Sequence, residues 1–241
     1  MNGRQRVYRS RCEAEGLVRF EVREGETDLL VLAAKDLRQA ARKEVRAHRA
    51  ALCDYLLRRP EFATSFHPLA VEPSAPLVVR MMSEASFLTG TGPMASVAGV
   101  LAELVGRALL PHSPEVIVEN GGDIFLRTNR PTTVAIWAGS SVLSGRVGVR
   151  VAPAPAGAGV ATSSGTVGHS YSAGSADAVT VVAESAPTAD GMATCLGNMV
   201  RSSADFERVR DAVAEFPFVK GVVIILGKEL FAWGDISLVS L

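Results

Sequence analysis

The sequence predicts an α+β fold in which antiparallel sheet packs against helices with small-residue faces. Three observations predict it. Runs that alternate apolar and polar residues recur along the chain, as half-buried strands do. Two helical segments, "PMASVAG" at 93–99 and "GMATCLG" at 191–197, share Met, Ala, a hydroxyl residue and Gly in one register, which is either chance agreement in a low-complexity composition or an internal duplication that would set the two helices close together on one sheet. Finally, 241 residues with 48% apolar side chains suffice to bury a core without disulfides or a structural metal. We read residues 1–241 as one domain, with N-terminal strands and a helix over about 1–60 and a core over about 77–241.

Taken in order, "GLVRFEVREGETDLLVLA" reads as a hairpin turning at Gly25. The next segment, from Asp36 to Pro60, places Leu37, Ala41, Val45, His48, Leu52 and Tyr55 at steps of three and four, and Asp36 with Gln39 has capping-box spacing. That is an amphipathic helix stopped by Pro60. Residues 60–76, with four prolines, form a connector. "LTGTGP" is a turn, and Pro93 suits the start of a helix reaching about Leu110. Strand-like runs follow: "EVIVE", "DIFLR", "TTVAIWA", "GRVGVRVA", "DAVTVVA", "VKGVVIILG" and "LFAW". The Ser- and Gly-rich stretch 152–176 reads as a long polar loop, followed by a helix that starts near residue 187 in "APTADGMATCLGN" and another in "DFERVRDAVAEF".

Composition narrows the function classes. The first 60 residues carry fourteen Lys and Arg against nine Asp and Glu, without aromatic interleaving, so they read as a solvated face and not a nucleic-acid footprint. Every long apolar stretch is interrupted by charge or Gly, so no membrane span and no cleavable signal are expected, and the expected compartment is cytoplasmic. Cys12, Cys53 and Cys195 are widely spaced and suggest reduced thiols, with neither a disulfide framework nor a zinc site. A homo-oligomer is compatible with all of this.

The chemistry concentrates late in the chain. Residues 151–200 contain no Lys or Arg, so phosphate arriving there must meet amides, hydroxyls or a metal. In "APTADGMATCLGN", Asp190 and Thr194 stand four apart and project from one helix face, offering hard oxygen ligands of the kind that hold Mg²⁺. The same pair also suits a first-turn Asp favoured by the helix dipole and a Thr bonded back to its own helix. The hydroxyls of "VATSSG" (Thr162, Ser163 and Ser164) suit phosphate or ribose contacts, or an ordinary turn. His169 in the following loop is a candidate general acid or base, or a surface residue. In "ENGGD", Gly121 and Gly122 mark a tight turn that also allows close approach by a ligand, and the turn after Gly90 opens onto a helix N-terminus, a favourable anion site.

In order and spacing, "NGGDIFLR", "GVATSSG", His169 and "DAVTVVAESAPTADGMAT" resemble the ApbE superfamily of flavin transferases. The resemblance implies a T-fold-like architecture with antiparallel sheet and paired helices. It also implies a phosphorylated, flavin-like nucleotide such as FMN or FAD as ligand, with Mg²⁺ on Asp190 and Thr194. Gly121, Gly122, Asp123, Thr162, Ser163 and Ser164 then line the nucleotide pocket, with Gly92 and Ser96 in the corresponding helix segment and His169 as the candidate catalytic group. Two departures weigh against transfer of FMN onto a partner protein. Ser96 or its neighbours stand where the family has Lys-Gly, and "SYSAGS" replaces its DPxTG. The lipoprotein signal of those transferases is not expected here either. The chain is more similar to the cytoplasmic UPF branch, in which "GTGPMA", "NGGD" and "ADGMAT" recur without an assigned reaction. Two function classes follow: a Mg²⁺-dependent transferase or nucleotide hydrolase, or a non-catalytic ligand-binding or assembly protein that kept the fold. A small phosphate or pterin-like ring is a third possible ligand.

Overall fold

The computed structural model describes residue 9 and residues 14–165 and 174–241. The chain opens with an antiparallel hairpin, β1 (Val18–Glu24) and β2 (Thr27–Ala33), turning at Gly25 in the left-handed region (φ 57°). Then come α1 (Arg38–Arg58), a single turn α2 (Glu61–Thr64) and α3 (Leu77–Thr89). A 3-10 turn at Pro93–Ser96 leads into α4 (Val97–Leu109), and the hairpin of β3 (Val116–Asn120) and β4 (Asp123–Arg127) follows. After β5 (Thr132–Ala135) and β6 (Val147–Val151), the chain forms β7 (Ala158–Ser163) and β8 (Ala178–Ala183), then α5 (Ala186–Met199) and α6 (Phe206–Val213). It ends with β9 (Val219–Leu226), β10 (Glu229–Gly234) and β11 (Ser237–Ser240).

Eight strands pair antiparallel in the order β1-β2-β3-β4-β7-β8-β9-β10. The order hairpin, helices, hairpin therefore occurs twice, with the two four-strand halves joined where β4 pairs with β7. This is the expected α+β architecture. Side-chain alternation gives the sheet two apolar faces. One is covered by helices: Val31, Val118 and Phe125 pack beneath α1 and α4 in the first half, and Val181, Val222 and Ile224 beneath α5 and α6 in the second. The other face, carrying Leu30, Ile117, Val160, Val223 and Ile225, is covered by a second sheet of order β11-β6-β5 through Ile136, Val149 and Val151. Truncating a fully buried ring such as Phe125 to Ala is expected to cost about 3–5 kcal/mol.

Four sequence expectations change. The stretch 152–176 is not wholly loop, because β7 lies within it at the middle of the large sheet. On its helix side, Gly159, Ala161 and Ser163 are small because α5 crosses directly over them: a Cβ on Gly159 would fall 2.2 Å from the Ser185 carbonyl oxygen. Asp36 and Gln39 form no capping box; Asp36 instead accepts from the Arg38 amide at 2.9 Å, and Leu37 is the N-cap. The connector 60–76 contains α2. The echo of 93–99 in 191–197 joins unlike places, since the first straddles the 3-10 turn and the start of α4 and the second lies in the body of α5. The repetition is in the topology, not in that register. Among the described residues no single helix is long and apolar enough to cross a membrane.

Candidate functional site

At one end of the large sheet, β3 turns into β4 beside the end of β7. Asn120 and Asp123 pair across a two-residue turn in which Gly121 (φ 75°) and Gly122 (φ 114°) both take positive φ, a conformation that favours glycine. Gly122 lies next to β7: a Cβ on it would stand 3.6 Å from the Thr162 carbonyl oxygen. Strand alternation then sorts the candidates by face. Asn120, Asp123 and Ser163 share the helix side with the buried residues Val118, Phe125 and Ala161. Glu119 and Thr162 lie on the opposite side, where the Thr162 and Thr180 hydroxyls meet at 2.9 Å. Gly121 is exposed at the rim between the two faces, and Ser164 is half-buried just past the end of β7.

Two helices converge above this end. Ser185 caps α5, its hydroxyl accepting from the Thr188 amide at 3.3 Å, and Pro187 falls in the first turn. Asp190 follows the first turn, and its Oδ2 accepts from the Gly99 amide at the start of α4, at 2.8 Å. The Ala98 amide, next to it, also favours the charged carboxylate. In the reverse direction, Glu103 of α4 reaches the start of α5, where its Oε2 accepts from the Ala186 amide at 2.8 Å. Each helix thus supplies a carboxylate to the orphan amides of the other. The exchange requires close approach, which Gly99 permits: a Cβ there would fall 2.4 Å from the Ala186 carbonyl oxygen. Asn120 ties the strand turn to the same place by donating from Nδ2 to the Ala98 carbonyl at 3.1 Å.

The two carboxylates differ in charge environment. Glu103 also holds Arg107 at 2.7 Å. Asp190 is buried, bonded to neutral amides, and among the described residues has no ion pair. Burial pushes its carboxyl up to about 7, against the opposing pull of the Gly99 and Ala98 amides. Thr194, one turn further along α5, is half-buried, and among the described residues its hydroxyl has no hydrogen-bond partner.

Asp190, Thr194, Asp123, Ser163 and the Gly121–Gly122 turn therefore occupy one end and one side of the sheet. Three candidates have other surroundings. Gly92 is buried with its Cα against the Ser65–Phe66 backbone. Ser96 is buried and donates to the Pro93 carbonyl at 3.0 Å, closing the 3-10 turn. Thr162 directs its hydroxyl away from the helices. His169 lies outside the described residues. Sequence reasoning missed Asn120 and Glu103. Glu103 and Arg107 could be read as an ordinary i,i+4 helix pair, but nothing local signals that Glu103 also reaches α5.

A family model described as "AbpE bacteria" matches residues 9–215. The chain belongs to that ApbE-like family. It is 44% identical over 197 residues to a UPF0280 protein of Methanothermobacter thermautotrophicus, covering 80% of this chain and 76% of that protein. A UPF0280 protein of Methanococcus maripaludis is 45% identical over 201 residues, 81% of each chain. In fold, this ApbE-like protein is similar to the flavin transferase ApbE of Vibrio cholerae, with a TM-score of 0.59 at 17% identity over 91% of this chain and 97% of that one. The apo flavinyl transferase ApbE of Pseudomonas stutzeri gives 0.58 at 15% identity over 90% and 93%.

Proposed function

We propose that this ApbE-like protein binds a Mg²⁺-complexed, flavin-type nucleotide at the end of the sheet beneath α4 and α5 and acts on its phosphates. The observation that carries the reading is Asp190, a buried carboxylate that accepts from the Gly99 amide and, among the described residues, has no ion pair. Burying a charged carboxylate is costly unless it takes up a proton or an opposite charge is supplied. Residues 151–200 offer no Lys or Arg to supply it.

The donor set fits Mg²⁺. Asp190 brings one negative charge and Thr194 a neutral oxygen from the same helix face, leaving room for water and phosphate oxygens, the usual arrangement for this ion. When bound, Mg²⁺ neutralises phosphate charge and polarises a phosphoryl oxygen. The protein's part is to place the ligand. The Gly121–Gly122 turn admits it close to the backbone, Asp123, Ser163 and Ser164 orient its polar groups, and His169 moves a proton. The structural likeness to flavin transferases favours a flavin as the ring. Calorimetry with FMN, FAD and ADP, each with and without MgCl₂, tests this. Binding of FMN or FAD that requires Mg²⁺ is expected; no binding of either flavin nucleotide with Mg²⁺ present overturns it.

A second reading, a ligand-binding protein without turnover, is favoured by the Gly99 amide already bonded to the Asp190 carboxylate and by the absence of a Lys beside the 3-10 turn. Phosphate release from the same nucleotides separates the two. Release that is lost in Asp190→Asn identifies the enzyme, and binding without release identifies the binding protein.

A further inference from the structure

We propose that Arg9 is a positioning residue for the Gly121–Gly122 turn, acting through Glu119, and that it thereby shapes one wall of the nucleotide site. This rests on the reading of that turn as one wall of the site. Arg9 lies over a hundred positions before the turn in sequence, yet its side chain is only 4% exposed. Its Nη1 donates to Asp28 Oδ1 at 2.7 Å and its Nη2 to the Asp28 carbonyl at 2.6 Å. Its Nε donates to Glu119 Oε2 at 2.6 Å. A planar guanidinium reaches all three acceptors at once, which a Lys ammonium on its flexible stem does not reproduce.

The other Glu119 oxygen, Oε1, accepts from the Gly122 amide at 2.9 Å. A chain of charge-assisted bonds therefore runs from Arg9 through Glu119 to the turn. It is needed because two adjacent glycines in positive φ have few steric restraints of their own. The amide bond to Glu119 fixes one of them, and Arg9 fixes the Glu119 carboxylate in the orientation that makes this bond. A turn ordered before the ligand arrives spares the complex that ordering cost. Glu119 lies on the face opposite α4 and α5, so the turn is held from the side away from those helices.

The test compares the full-length wild type with Arg9→Ala and Arg9→Lys. Three quantities are read: hydrogen exchange of the Gly122 amide by NMR, exchange of the distant β9–β10 amides, and calorimetric affinity for FMN with MgCl₂. In Arg9→Ala the Gly122 amide is expected to exchange at least tenfold faster while β9–β10 amides keep their protection, and FMN affinity to fall about tenfold. Arg9→Lys should recover part of both effects. Unchanged Gly122 exchange overturns the proposal. So does acceleration shared equally by β9–β10, which would mean a purely structural role. Should Arg9→Ala fail to fold, the same readings on Arg9→Lys decide, with a several-fold increase confined to Gly122 as the supporting result and no local change as the opposing one. If wild type does not bind FMN, the nucleotide reading fails by itself, and the Gly122 exchange still decides whether Arg9 holds the turn.

Discussion

Glu103 and Asp190 do the same thing in opposite directions: each is a buried carboxylate on one helix that accepts the amide at the start of the other. They differ in what balances their charge. Glu103 has Arg107 on its own helix, so that junction is complete within the chain. Asp190 has burial and dipoles, and its carboxyl is held near neutrality. On the proposed reading, the two junctions of one helix pair separate a structural task from one that leaves a charge to be met from outside. Substitutions at the two junctions should therefore have different consequences.

The largest difference is expected at Asp190. Asp190→Ala removes the carboxylate of the proposed metal pair and should weaken Mg²⁺-dependent FMN binding by about a hundredfold or more in calorimetry. Its folded state should survive, because the loss of an N-terminal cap, about 0.5–2 kcal/mol, is countered by removal of a buried charge. An unchanged affinity would dismiss the metal role. Next comes the close approach that both junctions share. Gly99→Ala places a methyl group 2.4 Å from the Ala186 carbonyl oxygen and 2.9 Å from the Asp190 Cβ. The helices must separate, and a loss of about 1–3 kcal/mol is expected from chemical denaturation. Because the shift loosens both exchanged caps, FMN binding should fall as well.

A smaller effect follows from protonation. The Asp190 carboxyl is raised from 3.8 to about 7, so between these values the folded protein keeps a proton that the unfolded chain releases. The stability contributed by the neutral form is present below about pH 4 and is lost as pH rises through 7. Mg²⁺ binding has the opposite dependence, since it needs the carboxylate. Affinity should rise about tenfold from pH 6 to pH 8 and then level. A profile flat across that range would mean that Asp190 does not titrate where its burial places it.

How much of this was legible depended on the range of the interaction. The first hairpin, α1 and most strands follow from local alternation and turn chemistry, and Asp190 with Thr194 was readable because four positions on a helix define one face. β7 was not readable. Its residues are small and polar because α5 lies over them and Thr162 pairs with Thr180, both of which are tertiary facts. Glu103 and Arg9 were missed for the same reason: the groups they hold are 83 and 110 positions away. Of the candidate residues, Asp123 and Ser163 lie on the helix side of the sheet beside the Gly121–Gly122 turn, and Asp190 and Thr194 lie on α5, which packs over that side. Ser96 and Gly92 carry family resemblance in sequence but are used in internal packing.

The smallest expected effect completes the contrast. Glu103→Gln keeps an oxygen that can accept from the Ala186 amide but gives up the charge that holds Arg107. Arg107 is about half exposed, so its ion pair contributes little after solvent screening. The main cost is a charge-assisted bond becoming a neutral one, about 1 kcal/mol, visible as a lowered denaturation midpoint. FMN affinity and its Mg²⁺ requirement should stay within about twofold of wild type, since no ligand charge depends on Glu103. If Glu103→Gln instead weakened FMN binding as strongly as Asp190→Ala while leaving stability intact, the division of labour between the two junctions would be wrong. Glu103 would then have to be counted among the groups that meet the ligand.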